Sequence, residues 1–192
     1  MTSEVTRSYL QRLMKLPEAI EKNLATWDTL AEEYGAVHFK AEKFLYLGRG
    51  VHYAIAREGA LKLKEISYAH AEGYPAGELK HGPNALVDDK LPVVVLAACD
   101  HHDPDSVLRY RRTLEVMKEV RSRKGPLVAV ATDGDKEVGD IADHVFYVPA
   151  APELLLPIVE VIPLQLFAYH VAVDKGYDVD HPRNLVKAVV TE

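Results

Sequence analysis

Apolar residues recur at three- and four-residue steps between Glu4 and Tyr34: Leu10, Leu13, Met14, Leu16, Ile20, Leu24, Trp27, Leu30 and Ala31. That period predicts an amphipathic helical arm. A proline ring disfavours a helical residue before it and can itself open a helix, so the arm is expected to break near Leu16-Pro17. The pattern then changes. Phe44-Leu45-Tyr46-Leu47 is a short unbroken apolar run ending in Gly48-Arg49-Gly50, which predicts a buried strand entering a tight turn. Three more β-rich runs cover Pro92 to Ala97, Pro126 to Ala131 and His144 to Val148, and Ala69 to Tyr74 is a candidate edge strand. Helical segments fall between them, at about His52 to Ser67, Asp103 to Lys124, Asp135 to Ala142 and Glu153 to Asp174.

Strands that are apolar on both faces and alternate with helices indicate a parallel sheet covered on each side. The expected fold is a three-layer α/β/α sandwich of the doubly wound kind, preceded by the helical arm. Residues 1–192 are taken as one domain, with the arm at 1–36 and a docking C-terminal tail at 178–192. In such sheets ligands sit beyond the carboxyl ends of the strands, at the switch point.

Composition narrows the functional classes. With 48% hydrophobic and 27% charged residues, a 192-residue chain can bury a core without staples. Its 23 basic residues against 29 acidic ones give a net charge of -6, which argues against a general binder of nucleic acid or anionic membrane. Cys99 is the single cysteine, so neither a disulfide framework nor a thiolate metal cluster is expected. Met1 to Lys15 lacks the apolar run of a secretory signal, and Leu154 to Ala168 is interrupted by Pro157, Glu160, Pro163 and Gln165. A cytoplasmic protein is expected.

Four stretches carry candidate chemistry. Gly48-Arg49-Gly50 stands where a strand turns into a helix, so its amides can face an anion, although a plain tight turn explains the glycines equally well. In the helix that follows, at about 100° per residue, Glu58, Lys62 and Glu65 share an arc of roughly 60°. A solvated face with a supporting Glu58/Lys62 pair is the plain alternative. Gly73 to Pro83 is a loop dense in glycine, proline and ionisable groups, with His81 between Lys80 and Gly82. The fourth stretch, Val179 to Lys187, is polar and proline-broken but keeps Leu185 and Val186, as a docked tail would.

Other signals are weaker. His101-His102-Asp103 lacks a defined metal-ligand set, and Asp174, Asp178 and Asp180 lack the glycine and glutamate of a calcium loop. The basic helix around Arg109 to Lys124 reads as a solvated face, and Cys99 as packing.

Leu47-Gly48-Arg49-Gly50, Glu58-Gly59-Ala60-Leu61-Lys62-Leu63-Lys64-Glu65-Ile66-Ser67-Tyr68, Gly77-Glu78-Leu79-Lys80-His81-Gly82-Pro83 and Pro182-Arg183-Asn184-Leu185 closely resemble the isomerase half of the glutamine–fructose-6-phosphate aminotransferases, or glucosamine-6-phosphate synthases. The likeness runs over essentially the whole chain and corresponds to the second of the two sugar-isomerase (SIS) domains of those enzymes. It implies a parallel, flavodoxin-like SIS sheet and ketose–aldose isomerisation of the fructose 6-phosphate/glucosamine 6-phosphate type, without a cofactor. By the same resemblance Glu65 matches the carboxylate that moves hydrogen between C1 and C2, with Glu58 and Lys62 as supporting charges. His81 matches the ring-opening histidine lent by a neighbouring subunit, and Lys187 the tail lysine at the carbonyl carbon. The implied partners are a sugar phosphate, a second copy of the chain, and a separate glutaminase or first SIS domain. No glutaminase activity is expected of the chain itself. The apolar stripe of the arm, more than a small sheet need absorb alone, also argues for a homodimer.

The loop after Pro92 to Ala97 reads Cys99-Asp100-His101-His102-Asp103, where the family's other SIS domain carries a Ser/Thr-rich phosphate loop. A non-catalytic phosphosugar-binding or regulatory module is therefore the second reading. A nucleotide-binding protein using Gly48 to Gly50 is the third.

Overall fold

The computed structural model describes residues 3–185. Strands β1 (Lys43–Gly48), β2 (His70–Pro75), β3 (Val93–Leu96), β4 (Leu127–Thr132) and β5 (His144–Val148) form one parallel sheet in the order β2-β1-β3-β4-β5. The expected strands are present, with ends shifted by a residue or two, and β2 is the edge strand. Every residue of β3 and β4 is buried. Both faces of these strands are covered by helices, which is why their sequences run apolar without alternation.

Among the described residues six α-helices cover the sheet: α1 (Ser3–Leu13), α2 (Leu16–His38), α3 (Val51–Ser67), α4 (Pro104–Ser122), α5 (Lys136–Gly139) and α6 (Leu156–Asp174). Phe44, Tyr46, Val94, Val130 and Phe146 point into one core, shared with α2, α3 and α6. Leu45, Leu47, Val95, Leu127 and Ala129 point into a second core, under α4 and the 3-10 turn Ala76–His81. The sheet thus separates two helical layers.

The arm breaks where the proline requires it, with Pro17 in the first turn of α2. Its destination departs from expectation. Trp27 Nε1 donates to the Tyr147 carbonyl at 2.8 Å and the Tyr34 hydroxyl to the Val145 carbonyl at 3.3 Å, so α2 folds back onto β5 of its own sheet. Most of the stripe that argued for a second copy is therefore consumed within the chain. In α1 and the turn after it Leu10, Leu13 and Met14 remain exposed.

Three local details matter for the site. Gly59 lets α3 lie close on α6 and β1, since a Cβ there would stand 2.7 Å from Leu164 Cδ1 and 2.9 Å from Tyr46 Cε1. The stretch Glu153–Asp174 is by length and composition apolar enough to cross a membrane, longer than the interrupted run read from the sequence. In this fold it is packed between α2 and α3. Cys99 is buried, its amide bonded to Thr132 Oγ1 at 2.8 Å, and burial pushes its thiol up, as suits a packing residue.

Candidate active site

The helical period places Glu58, Lys62 and Glu65 together on the outer face of α3. Lys62 Nζ lies 2.8 Å from Glu65 Oε2 and 3.6 Å from Glu58 Oε1. The hydrogen bond to Glu65, with the nearby charge of both carboxylates, raises the Lys62 ammonium above its ordinary value despite partial burial. All three side chains are partly exposed. An accessible carboxylate beside a held ammonium is a pair that accepts a proton and steadies a developing negative oxygen.

At the end of α3 stands the last residue of the motif Glu58 to Tyr68, to which the sequence assigns no role of its own. Tyr68 takes a left-handed conformation, φ 57°, and caps the helix. Its ring packs 4.7 Å from that of Tyr177, centroid to centroid, and its hydroxyl accepts the backbone N–H of Arg183 at 3.0 Å. The tail segment up to Leu185 is therefore tied to the C-terminal end of α3. Lys187 lies outside the described residues.

His81 is elsewhere. It ends the 3-10 turn Ala76–His81, which packs into the α4 layer, whereas the Glu65 stripe belongs to the opposite layer. Within one chain the sheet stands between them. The His81 loop is tied to α4 through Glu119, which accepts from Asn84 Nδ2 at 2.7 Å and pairs with Lys80 at 3.2 Å and Arg123 at 3.2 Å. Burial alone would raise the Glu119 carboxyl, but Asn84, Lys80 and Arg123 outweigh it and hold it low. Glu119→Leu should loosen this loop. The expected cost is about 1 kcal/mol in urea unfolding, with faster amide exchange over 80–87 and unchanged exchange in β3 and β4.

The switch point between β1 and β3 is filled from inside. Gly48 makes the turn into α3 possible, since a Cβ there would meet the His52 carbonyl oxygen at 2.3 Å. Beside that turn, Arg109 Nε donates to Glu153 Oε1 at 2.7 Å and its NH2 also bonds Glu153 Oε2. Glu153 stands 3.6 Å from His52 Nε2, and His52 Nδ1 lies 2.9 Å from buried Glu160. The protein's own Glu153 carboxylate thus lies beside His52 in the first turn of α3, held by Arg109. The glycines are explained by the tight turn, and nothing beside them favours a nucleotide. Asp103 of the His-His-Asp loop caps α4, accepting the Asp105 amide at 2.9 Å. Among the described residues no group of three His, Cys, Asp or Glu is placed to hold a metal ion.

The fold and this stripe define an α/β domain of the doubly wound class, with its accessible charged residues on the helix after β1. Residues 39–175 match the family model of the SIS domain, and the chain belongs to that family. It is 50% identical over 189 residues to glutamine–fructose-6-phosphate aminotransferase [isomerizing] of Thermus thermophilus, covering 98% of this chain. It is 46% identical over its whole length to the enzyme of the same name from Chlorobaculum tepidum. The chain spans 30% of the length of each of these two curated relatives. The C-terminal domain of glucosamine-fructose-6-phosphate aminotransferase from Francisella tularensis superposes with a TM-score of 0.84 at 39% identity, covering 93% of this chain and 48% of that one. The family resemblance and the parallel three-layer fold read from the motifs are both borne out.

Proposed function

We propose that this domain carries the proton-shuttling half of a phosphosugar isomerase site, acting on an open-chain ketose phosphate of the fructose 6-phosphate type. Glu65 takes a proton from C1 as the enediol forms and returns it to C2. Lys62 and Glu58 hold the charge pattern around that carboxylate, and Lys187 serves the carbonyl carbon. His81 of a second copy opens the sugar ring. The supporting observation is the Lys62 ammonium 2.8 Å from Glu65 on an accessible helix face, in a chain half identical to isomerising aminotransferases. Because the switch point is occupied by Arg109–Glu153, the phosphate grip is assigned to a further SIS domain, and nitrogen delivery to a glutaminase domain. Both belong to the part of the relatives that this chain does not span.

The same filled switch point favours the second reading, a non-catalytic phosphosugar module, which binds fructose 6-phosphate but does not turn it over. Mixing separates the two. Glu65→Gln and His81→Ala chains, each inactive alone, should together recover about one quarter of the wild-type turnover, since half of randomly formed dimers hold one intact site of two. Activity that stays absent in the mixture, with dimers present in sedimentation, refutes the shared site. Binding without turnover in the wild type, also when a further SIS domain of the relatives is supplied in trans, selects the module.

A further inference from the structure

We propose that Arg49 and Arg112 form a binding site for a phosphate group, on the side of the sheet away from Glu65. Along β1 the side chains of Leu45 and Leu47 point into the core under α4. A strand alternates its side chains, so Arg49, just past the strand end, continues on that side. Its guanidinium comes to rest over Gly77, where a Cβ would stand 3.2 Å from Nη1 and 3.4 Å from Nη2. Gly77 lies in the 3-10 turn that ends in His81. Arg49 thus bridges the exits of β1 and β2 on the α4 side.

What this guanidinium lacks is a partner. Among the described residues Arg49 makes no hydrogen bond and no ion pair, although its Nε is buried. Arg112, exposed on α4, makes none either. Arg109 is the contrast. It stands three residues from Arg112 on the same face of α4, with Cδ 2.9 Å from where a Cβ of Gly50 would be, and it is engaged by Glu153. Burial lowers the Arg49 guanidinium below its ordinary value and the charge of Arg112 lowers it further, with Glu115 opposing. Two unpaired like charges, one of them partly buried, cost free energy in the protein by itself.

The chemistry of the pair selects the ligand. A guanidinium presents its donors as a planar fork that suits an oxyanion. A doubly charged phosphate group neutralises both forks, whereas a carboxylate neutralises one. The donors are side chains and not the amides of Gly48 and Gly50, so the site takes the anionic group and implies no nucleotide. Bound there, phosphate ties the exit of β1 to the turn that holds His81. The site uses neither Glu65 nor Glu153, and it stands whether or not the domain isomerises a sugar.

Inorganic phosphate and glycerol 3-phosphate, neither with a carbonyl to isomerise, are the probes for calorimetry on the whole chain. Phosphate is expected to bind with a Kd of about 1 mM, and Arg49→Gln to weaken it about tenfold. Arg112→Gln should weaken it about threefold. Arg57→Gln, which removes an α3 arginine that lies over Tyr53, should leave it unchanged. Acetate should bind about tenfold more weakly than phosphate. At constant ionic strength, about 10 mM phosphate should raise the melting temperature of the wild type by about 4 °C and that of Arg49→Gln by less than half as much. Without phosphate Arg49→Gln should melt no lower than wild type, because it removes an unpartnered charge. Phosphate binding that survives Arg49→Gln, or that falls equally in Arg57→Gln, overturns the site. So does a lower melting temperature of Arg49→Gln without phosphate, which would make Arg49 a packing residue. Acetate bound as tightly as phosphate overturns the ligand class. If Arg49→Gln does not fold, Arg112→Gln, at an exposed position, carries the same comparison.

Discussion

Glu65→Gln is expected to lower turnover of fructose 6-phosphate by two to four orders of magnitude, about the share that a positioned general base supplies. Sugar-phosphate binding should stay within about threefold. The amide keeps the shape of the carboxylate, and its oxygen can still accept from Lys62, which is 2.8 Å away in the native protein. What it cannot do is take the proton from carbon. Glu58 stands farther from the same ammonium, at 3.6 Å, so Glu58→Gln should cost much less. Steady-state kinetics beside calorimetric binding of fructose 6-phosphate measure the two effects separately. Near-native turnover by Glu65→Gln would remove Glu65 from the mechanism.

The largest effect on stability is expected at Glu160, which is fully buried and 2.9 Å from His52. Burial by itself would lower the His52 ring, but Glu160 and then Glu153 outweigh it, and Arg109 only partly opposes them, so the ring titrates above its ordinary value. A histidine raised on folding stabilises the fold fully below about pH 6.5 and loses that contribution as pH climbs through the raised value. Glu160→Ala leaves His52 buried without its closest counter-charge and opens a gap between α3 and α6. The expected loss is about 3 kcal/mol at pH 6, by urea unfolding. The pH dependence should change sign as well. Between pH 6 and 8 the His52 contribution falls with rising pH in the native chain. In the variant only Glu153, 3.6 Å from Nε2 and already bonded to Arg109, faces the ring, so acid must charge a poorly compensated buried group and stability falls toward low pH. Melting curves across that range would contradict the pairing if both proteins gave one slope.

Much of this fold was legible because it rests on local patterns. The strands are read from unbroken apolar runs, and those runs exist because helices cover both faces of β3 and β4. Glu58, Lys62 and Glu65 were legible for the same reason, since helical period alone puts them on one arc. The helix expected over Asp135 to Ala142 shrinks to the single turn of α5. Asp135 accepts the Val138 amide at 3.0 Å and starts it, and at Gly139 a Cβ would crowd the Tyr147 hydroxyl at 2.8 Å. The contacts missed were those between elements far apart in the chain. Tyr68 meets Arg183 across 115 positions, His52 meets Glu160 across 108, and Asn84 meets Glu119 across 35. No local period records such pairs. They depend on where each crossover sets its helix on the sheet, as the arm also shows. Its stripe was visible, but the sheet that would cover it was not.

The sheet standing between Glu65 and His81 has a consequence in mass action. Under the shared-site reading a complete site is a bimolecular species, so the activity of each chain depends on how many copies surround it. Diluting the protein below its dimer dissociation constant would lower turnover per chain in proportion to the dimer lost, with no residue changed and the fold intact. Excess of an inert copy would do the same by capturing active partners. Expression level would thereby tune the rate of such a domain as directly as any ligand.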